Sequence, residues 1–456
     1  MSDVTQDEAE ATCERVLELV AACAPGAEAA ARAAVGTTSL TRFANSRIHQ
    51  NVTEDVRAVT VTVAVEGRVA RAMTTRTDAD GLAGVVERAL AAAALRPADP
   101  DFPGFAPPEP VPPVEHWDDA TAGATPDRRA EVVAAFVDAG RGVGEAAGYC
   151  RTEAVTVALA STAGQRVVGR SSLAELDGIH RAVGPDGQVT DGAAQVTSVR
   201  LADLDGAVAG ARAAARARAA AEPIELPPGT YPVVLEPRAV AEVLLFPAYL
   251  GFNGKAHHEG TSFVHLGEQQ WDDAVDIWDD ATDPRALGRS FDFEGTPKRR
   301  VDLVRAGVSV GLAHDRRSAR LAGVEPTGHS VGADAVGGFP TNLFLGGGDR
   351  SPEQLVGGLE RGLLVTDFWY NRVLDPKTQV VTGLTRNGLF LVEGGEIQAA
   401  VQNLRYTQSI VAAFGPGRVL GLGDDAQLAG GREGEGAMHV PSVHLAGWAF
   451  TGNARG

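Results

Sequence analysis

Two adjacent histidines and a glutamate, His257, His258 and Glu259, close the stretch LLFPAYLGFNGKAHHEG at residues 244–260. These residue types hold zinc, which takes about three protein ligands converging at roughly 2.0–2.3 Å. Their spacing works against that use. Neighbouring side chains point to opposite faces of a strand and diverge by about 100° on a helix, so His257 and His258 make a poor chelating pair. His265 is the next candidate donor along the chain. The alternative is a polar loop in which one histidine bonds the backbone.

Other chemistries have weaker support. The glycine-rich LGGGDRS at 345–351 matches neither GxxxxGK[ST] nor a GxGxxG that opens a long helix, so it reads as turns rather than a phosphate cradle. GHSVG at 328–332 has the GxSxG spacing, but no helical run follows it as a nucleophile turn requires. DDAVDIWDDATD at 272–283 lacks the central glycine and final glutamate of a calcium loop and reads as a solvated acidic face. Cysteine occurs only at Cys13, Cys23 and Cys150, too few and too odd for a disulfide framework. Cys13 and Cys23, ten apart on an Ala-rich helical segment, read as core packing. Acidic residues outnumber basic ones by 59 to 41, giving a net charge of −18, a field that repels a polyanion and argues against nucleic acid as a partner.

The elements that must position these residues can be placed coarsely. At 456 residues the chain is long enough for two or three domains. Periodicity predicts a helix over residues 6–34, then a hairpin of the alternating runs VRAVTVTVAV and RVARAMTTRT, turned at Glu66 and Gly67. A helix follows at 80–95. Residues 96–113 hold eight prolines and form an extended surface connector. A helix from Thr125-Pro126 to about residue 147, a second hairpin in EAVTVALAST and GQRVVGRSS, and an Ala/Arg-rich helix at 203–221 complete the first domain, residues 1–222.

Residues 223–456 form a β-rich second domain. Asn387-Gly388 and Gly394-Gly395 supply the positive φ of tight hairpins, and Ser351 caps a short helix in SPEQLVGGLERG. The fold class is α+β with mostly antiparallel pairing. The opening MSDVTQDEAE is acidic where a signal peptide has a basic region, and no apolar run approaches about 20 residues, so a cytoplasmic location with no membrane partner is expected.

Three stretches, in order, resemble the TldD/PmbA family: TRFANSRIHQN at 41–51, TNLFLGGGDRSPEQLVGGLERGLLVTDF at 341–368 and GLFLVEGGEIQAAVQNLRYTQSI at 388–410. Its two members, TldD and TldE (also called PmbA), form a heteromeric zinc-dependent peptidase. In the TldD branch zinc is held by H-E-x-x-x-H on a helix early in the C-terminal domain, followed by G-T-S, with a cysteine far downstream. GTS at 260–262 sets the register here, and Phe246, Pro247 and Gly251 then fall where the first histidine, the glutamate and the second histidine would stand. None has a side-chain donor, proline cannot act as general base, and Cys150 is the last cysteine.

The resemblance therefore implies the TldE/PmbA-like branch, with no catalytic residue, metal ligand or cofactor in this chain. Zinc is expected in a TldD-like partner subunit. The pair would enclose and bind peptide or unfolded polypeptide substrates for proteolysis or peptide maturation, the C-terminal half holding peptide as an added strand. Two alternatives are a self-sufficient metallopeptidase or hydrolase with a metal site rebuilt near His257, His258 and Glu259, and a homodimeric peptide-binding protein.

Overall fold

The computed structural model describes residues 2–184, 187–430 and 436–453. The protein is a two-domain α+β fold. The first domain is built on one antiparallel sheet of β1 (Glu28–Ala44), β2 (Arg47–Val65), β3 (Arg68–Thr74), β4 (Gly144–Ser161), β5 (Arg166–Val183) and β6 (Val189–Ser198), in the order β3-β2-β1-β4-β5-β6. Strand alternation divides its two faces. Cys150, Ala158 and Ala160 of β4 pack beneath helices, while Val155, Val157 and Leu159 turn the other way and meet Phe291 of the second domain.

Two helix expectations end early. The first helix stops at Cys23, and residues 28–34 are already the start of β1. Alanine favours helix intrinsically, but Ala29, Ala31 and Ala33 are fully buried on alternate positions beneath that helix, where small side chains allow close packing. Cys13 is in this core, whereas Cys23 is exposed at the helix end and is not core packing. The helix Pro126–Ala139 stops before Gly140, and residues 144–147 belong to β4. Gly142 and Gly144 both have positive φ there, which ends a helix at little cost.

The second domain holds two sheets. One runs Val308–Ser309, Val301–Arg305, Ile277–Asp279, Leu343–Leu345, Met438–Val440 and Gln427–Ala429. The other, nine-stranded, starts at Phe368–Asp375 and ends at Glu396–Ala400. The helix Pro237–Phe246 touches strands of both, and its buried Ala239, Val240, Val243 and Leu244 join Trp271, Tyr406 and Trp448 in one core.

The Asn387-Gly388 turn does not close a hairpin. Val380–Thr385 pairs with Phe368–Asp375 and Leu404–Ser409, and Leu389–Glu393 pairs with Arg361–Val365 and Glu396–Ala400. The turn is a crossover, gripped by Asp367, whose carboxylate accepts from Asn387 Nδ2 at 2.9 Å and whose carbonyl accepts from Arg386 N at 3.1 Å. Gly394-Gly395 does close a hairpin, and Ser351 caps Pro352–Gly357.

Residues 96–113 contain no helix or strand and are clasped by the helix Arg316–Ala322. Arg317 holds Asp99 through two contacts of 2.6 and 3.0 Å, and Arg320 donates to the Phe102 carbonyl at 2.6 Å. The connector is thus a strap from the first domain across the second.

Candidate functional site

The helix Pro237–Phe246 continues through one wider turn, Pro247–Gly251, closed by an i to i+5 bond from Phe252 N to the Pro247 carbonyl at 2.8 Å. Proline has no N–H to give to the ladder, so a local change of helical pitch at Pro247 has a covalent cause. Phe246 is half-buried, and Pro247 and Gly251 are buried. Gly251 faces an aromatic cluster: Phe252, Phe263 and Trp271 lie with ring centroids 5.7 to 5.9 Å apart. A Cβ on Gly251 would stand 2.6 Å from Cδ1 and 2.9 Å from Cζ of Phe263, and closer still to Cε1. Ser262 of the GTS stretch ties this arrangement together by donating its hydroxyl to the Gly251 carbonyl at 2.7 Å.

His257 and His258 lie on a single helical turn, Gly254–His258, rather than in a loop. Asn253 caps it, its Oδ1 accepting from Lys255 N and Ala256 N. Both histidines are exposed, as is His265, and Glu259 pairs with Lys255 at 2.9 Å. Among the described residues no three His, Cys, Asp or Glu side chains gather in a metal-binding group, so His257, His258 and His265 are not brought together.

The acidic run 272–283 is not a solvated face. Asp272, Asp279 and Asp280 are buried. Asp272 accepts from the N–H groups of Ala274, Arg418 and Val419, and Asp279 accepts from Asn342 N at 2.6 Å while meeting His329 Nε2 at 2.8 Å. Lys298 Nζ joins the same network by donating to Thr341 and Asn342. Burial, with the charges of Asp292 and Asp315, raises the Glu294 carboxyl well above the usual carboxylate range. The signal for this is local: Val275 and Ile277 stand at alternate positions around Asp276, with Trp278 beside them, an apolar pattern that leads into the strand Ile277–Asp279 and not a uniformly charged surface.

A cleft of about 620 Å³ opens where the two domains meet. Each of the three sheets ends there, through β6, Glu396–Ala400 and Gln427–Ala429. Val234, Leu364 and Leu428 contribute apolar lining, and Arg216 bonds Glu236. Arg238 bridges Asp177 and Asp367, each at 3.2 Å. Burial pushes the Asp367 carboxyl up to about 6, against the pull of Arg238 and Asn387. Sequence reading found none of these residues, because they come together only when β6 is laid against the second domain.

Residues 228–452 match the family model for the PmbA/TldA metallopeptidase C-terminal domain, and residues 29–93 match that for PmbA/TldA metallopeptidase domain 1, together more than half of the chain. The chain belongs to the PmbA/TldD family. It is similar to the metalloprotease slr0863 of Synechocystis, 28% identical over 210 residues, which is 43% of this chain and 41% of that protein. It is also similar to a TldD homolog from Buchnera aphidicola, 25% identical over 182 residues, 38% of this chain and 37% of that protein. These matches span only about two fifths of the curated relatives. In fold it resembles TldE from Thermococcus kodakarensis, with a TM-score of 0.84 at 18% identity, covering 96% of this chain and 99% of that one.

Within this PmbA/TldD chain, TRFANSRIHQN is the turn from β1 to β2, with Asn45 and Ser46 at φ of 50° and 57°, the pair of positive values a two-residue hairpin loop demands. Among the described residues no helix is long and apolar enough to cross a membrane.

Proposed function

We propose that this chain is a TldE-like, non-catalytic subunit of a two-subunit zinc peptidase. It would pair with a TldD-like subunit and help enclose peptide or unfolded polypeptide substrates. The observation that carries the reading is the contact of Gly251 with Phe263. In the register set by GTS, the position of the second zinc-binding histidine has no side chain and no room for one. Phe246 and Pro247 offer no donor either, so the residues present do not fit zinc at that place, and no chemical step is assigned to this chain.

The cleft supports a substrate-holding role. Three sheet edges converge on it, and an extended peptide can add to such an edge through main-chain hydrogen bonds that tolerate many sequences. The test is zinc content of tag-free protein by elemental mass spectrometry, with peptidase assays on the chain alone and mixed with a TldD-like subunit. Expected are zinc far below one per chain and activity only in the mixture. Stoichiometric zinc with activity in the isolated chain would overturn the reading and make His257 and His258 the first residues to replace.

A further inference from the structure

The strand Phe368–Asp375 ends the nine-stranded sheet and, among the described residues, pairs with no strand but Val380–Thr385, so its outer edge is open. Proteins commonly blunt such edges with lysine, proline or very short strands. This edge instead exposes Trp369, Tyr370 and Leu374 at 50%, 63% and 60%. Leu384 stands opposite Trp369, and exposed Arg405 stands opposite Leu384, which extends the row across the sheet.

The exposed rings are held in place. Arg386 lies 4.2 Å over the Trp369 ring and Arg372 lies 4.4 Å over that of Tyr370. Tyr370 sits at φ 57°, a left-handed conformation that bulky residues avoid, and the strand register shifts between Trp369 and Arg372. The distortion turns aromatic rings outward rather than hiding them. Trp, Tyr and Arg are the residues most enriched where protein interfaces gain their affinity.

We propose that this edge docks a different protein subunit, the TldD-like partner, through an apolar patch on that partner rimmed by carboxylates. This rests on the two-subunit reading above. Charge selects the occupant. Residues 368–386 carry Arg372, Lys377 and Arg386 against Asp375 alone, in a chain of net charge −18. Two copies of this chain meeting edge to edge would bring together two patches that each carry three basic residues against one acidic one, and such a like-charge contact is unfavourable. An acidic partner meets no such penalty.

The experiment measures binding of the full-length chain to the full-length TldD-like subunit of the same organism by calorimetry, after checking that each variant unfolds at the wild-type midpoint. Trp369→Ala and Leu374→Ala should each weaken binding by about tenfold or more. Arg372→Glu should weaken it too and flatten its salt dependence. Val324→Ala, at a 50% exposed site elsewhere, should leave it unchanged. If the wild type binds and the edge variants bind equally well, the surface is wrong while the two-subunit reading stands. If the wild type does not bind, both fall. Self-association of the chain that the same variants abolish, or loss of peptide binding with partner binding intact, would also overturn the proposal by giving the edge another occupant.

Discussion

Replacing Gly251 by alanine tests whether Phe263 closes the helix where the zinc motif would stand. Gly251 does not sit in the left-handed region, so its backbone suits alanine. In open surroundings the change should stabilise by about 0.4–1 kcal/mol, by restricting the unfolded chain. The built Cβ, however, lies 2.6 and 2.9 Å from two ring carbons of Phe263, where carbon contacts are comfortable at about 3.5–4.0 Å. Cε1 is nearer still, so the ring must shift by more than about 1.5 Å within a cluster that includes buried Phe252 and Trp271. Overpacking of this kind costs about 1–3 kcal/mol, so Gly251→Ala is expected to destabilise.

Phe263→Ala alone should cost about 3–5 kcal/mol. In that background the clash is gone, and Gly251→Ala should become neutral or stabilising, a reversal of sign that transfer energies alone cannot produce. Urea unfolding followed by tryptophan fluorescence reads the cycle, since Trp271 is in the cluster. Additive effects, or a stabilising Gly251→Ala in the wild-type background, would refute the closed-site geometry and with it the main support for a non-catalytic chain.

Further predictions follow from buried ionisable groups. Asp367 has a folded pKa of about 6 against 3.8, so its ionisation opposes folding increasingly as pH rises from about 4 to 6. Asp367→Asn should gain on the wild type across that window by an amount on the order of 2–3 kcal/mol, and a difference in urea midpoints that does not change with pH would refute this. His180 is depressed by burial, so its contribution is intact above pH 6.5 and is lost as pH falls below it. His180→Phe should therefore lose less stability than the wild type between pH 7 and 5, and parallel curves would count against a buried neutral imidazole. Asp279→Ala removes the carboxylate shared by His329 Nε2 and Asn342 N in a fully buried setting. A loss of about 3–5 kcal/mol is expected in thermal or urea unfolding, and a loss below about 1 kcal/mol would show that the network does not hold these loops.

The parts of the fold legible in the sequence were those written by local chemistry. Thr125-Pro126 and Ser351 at helix starts and Glu66-Gly67 at a hairpin act through their own backbone, and each of these starts and turns lies where its residues predict. The misreadings share one cause. Residues 28–34 are helical by propensity and a strand by context, because a central strand lying under a helix needs small side chains. Asn387-Gly388 has the positive φ values of a turn, yet the runs beside it pair elsewhere, and the turn is held by Asp367, twenty residues back. Local φ preferences specify that the chain turns, and only tertiary contacts decide what it turns toward.

Site residues divide along the same line. Phe246, Pro247 and Gly251 are assigned to the motif positions only through the GTS register of the family resemblance, and the structure shows them at the end of one helix and in the wider turn that continues it. The cleft could not be placed from sequence, since Gln195, Arg238, Asp367 and Leu428 are joined only where three sheets end together. A position that lacks a donor atom cannot ligate through its side chain in any fold, so absence read from sequence survives errors of topology. A site that binds a peptide through strand edges leaves no such mark: its hydrogen-bonding groups are backbone, the same at every residue, and only the ends of the sheets reveal where they are free.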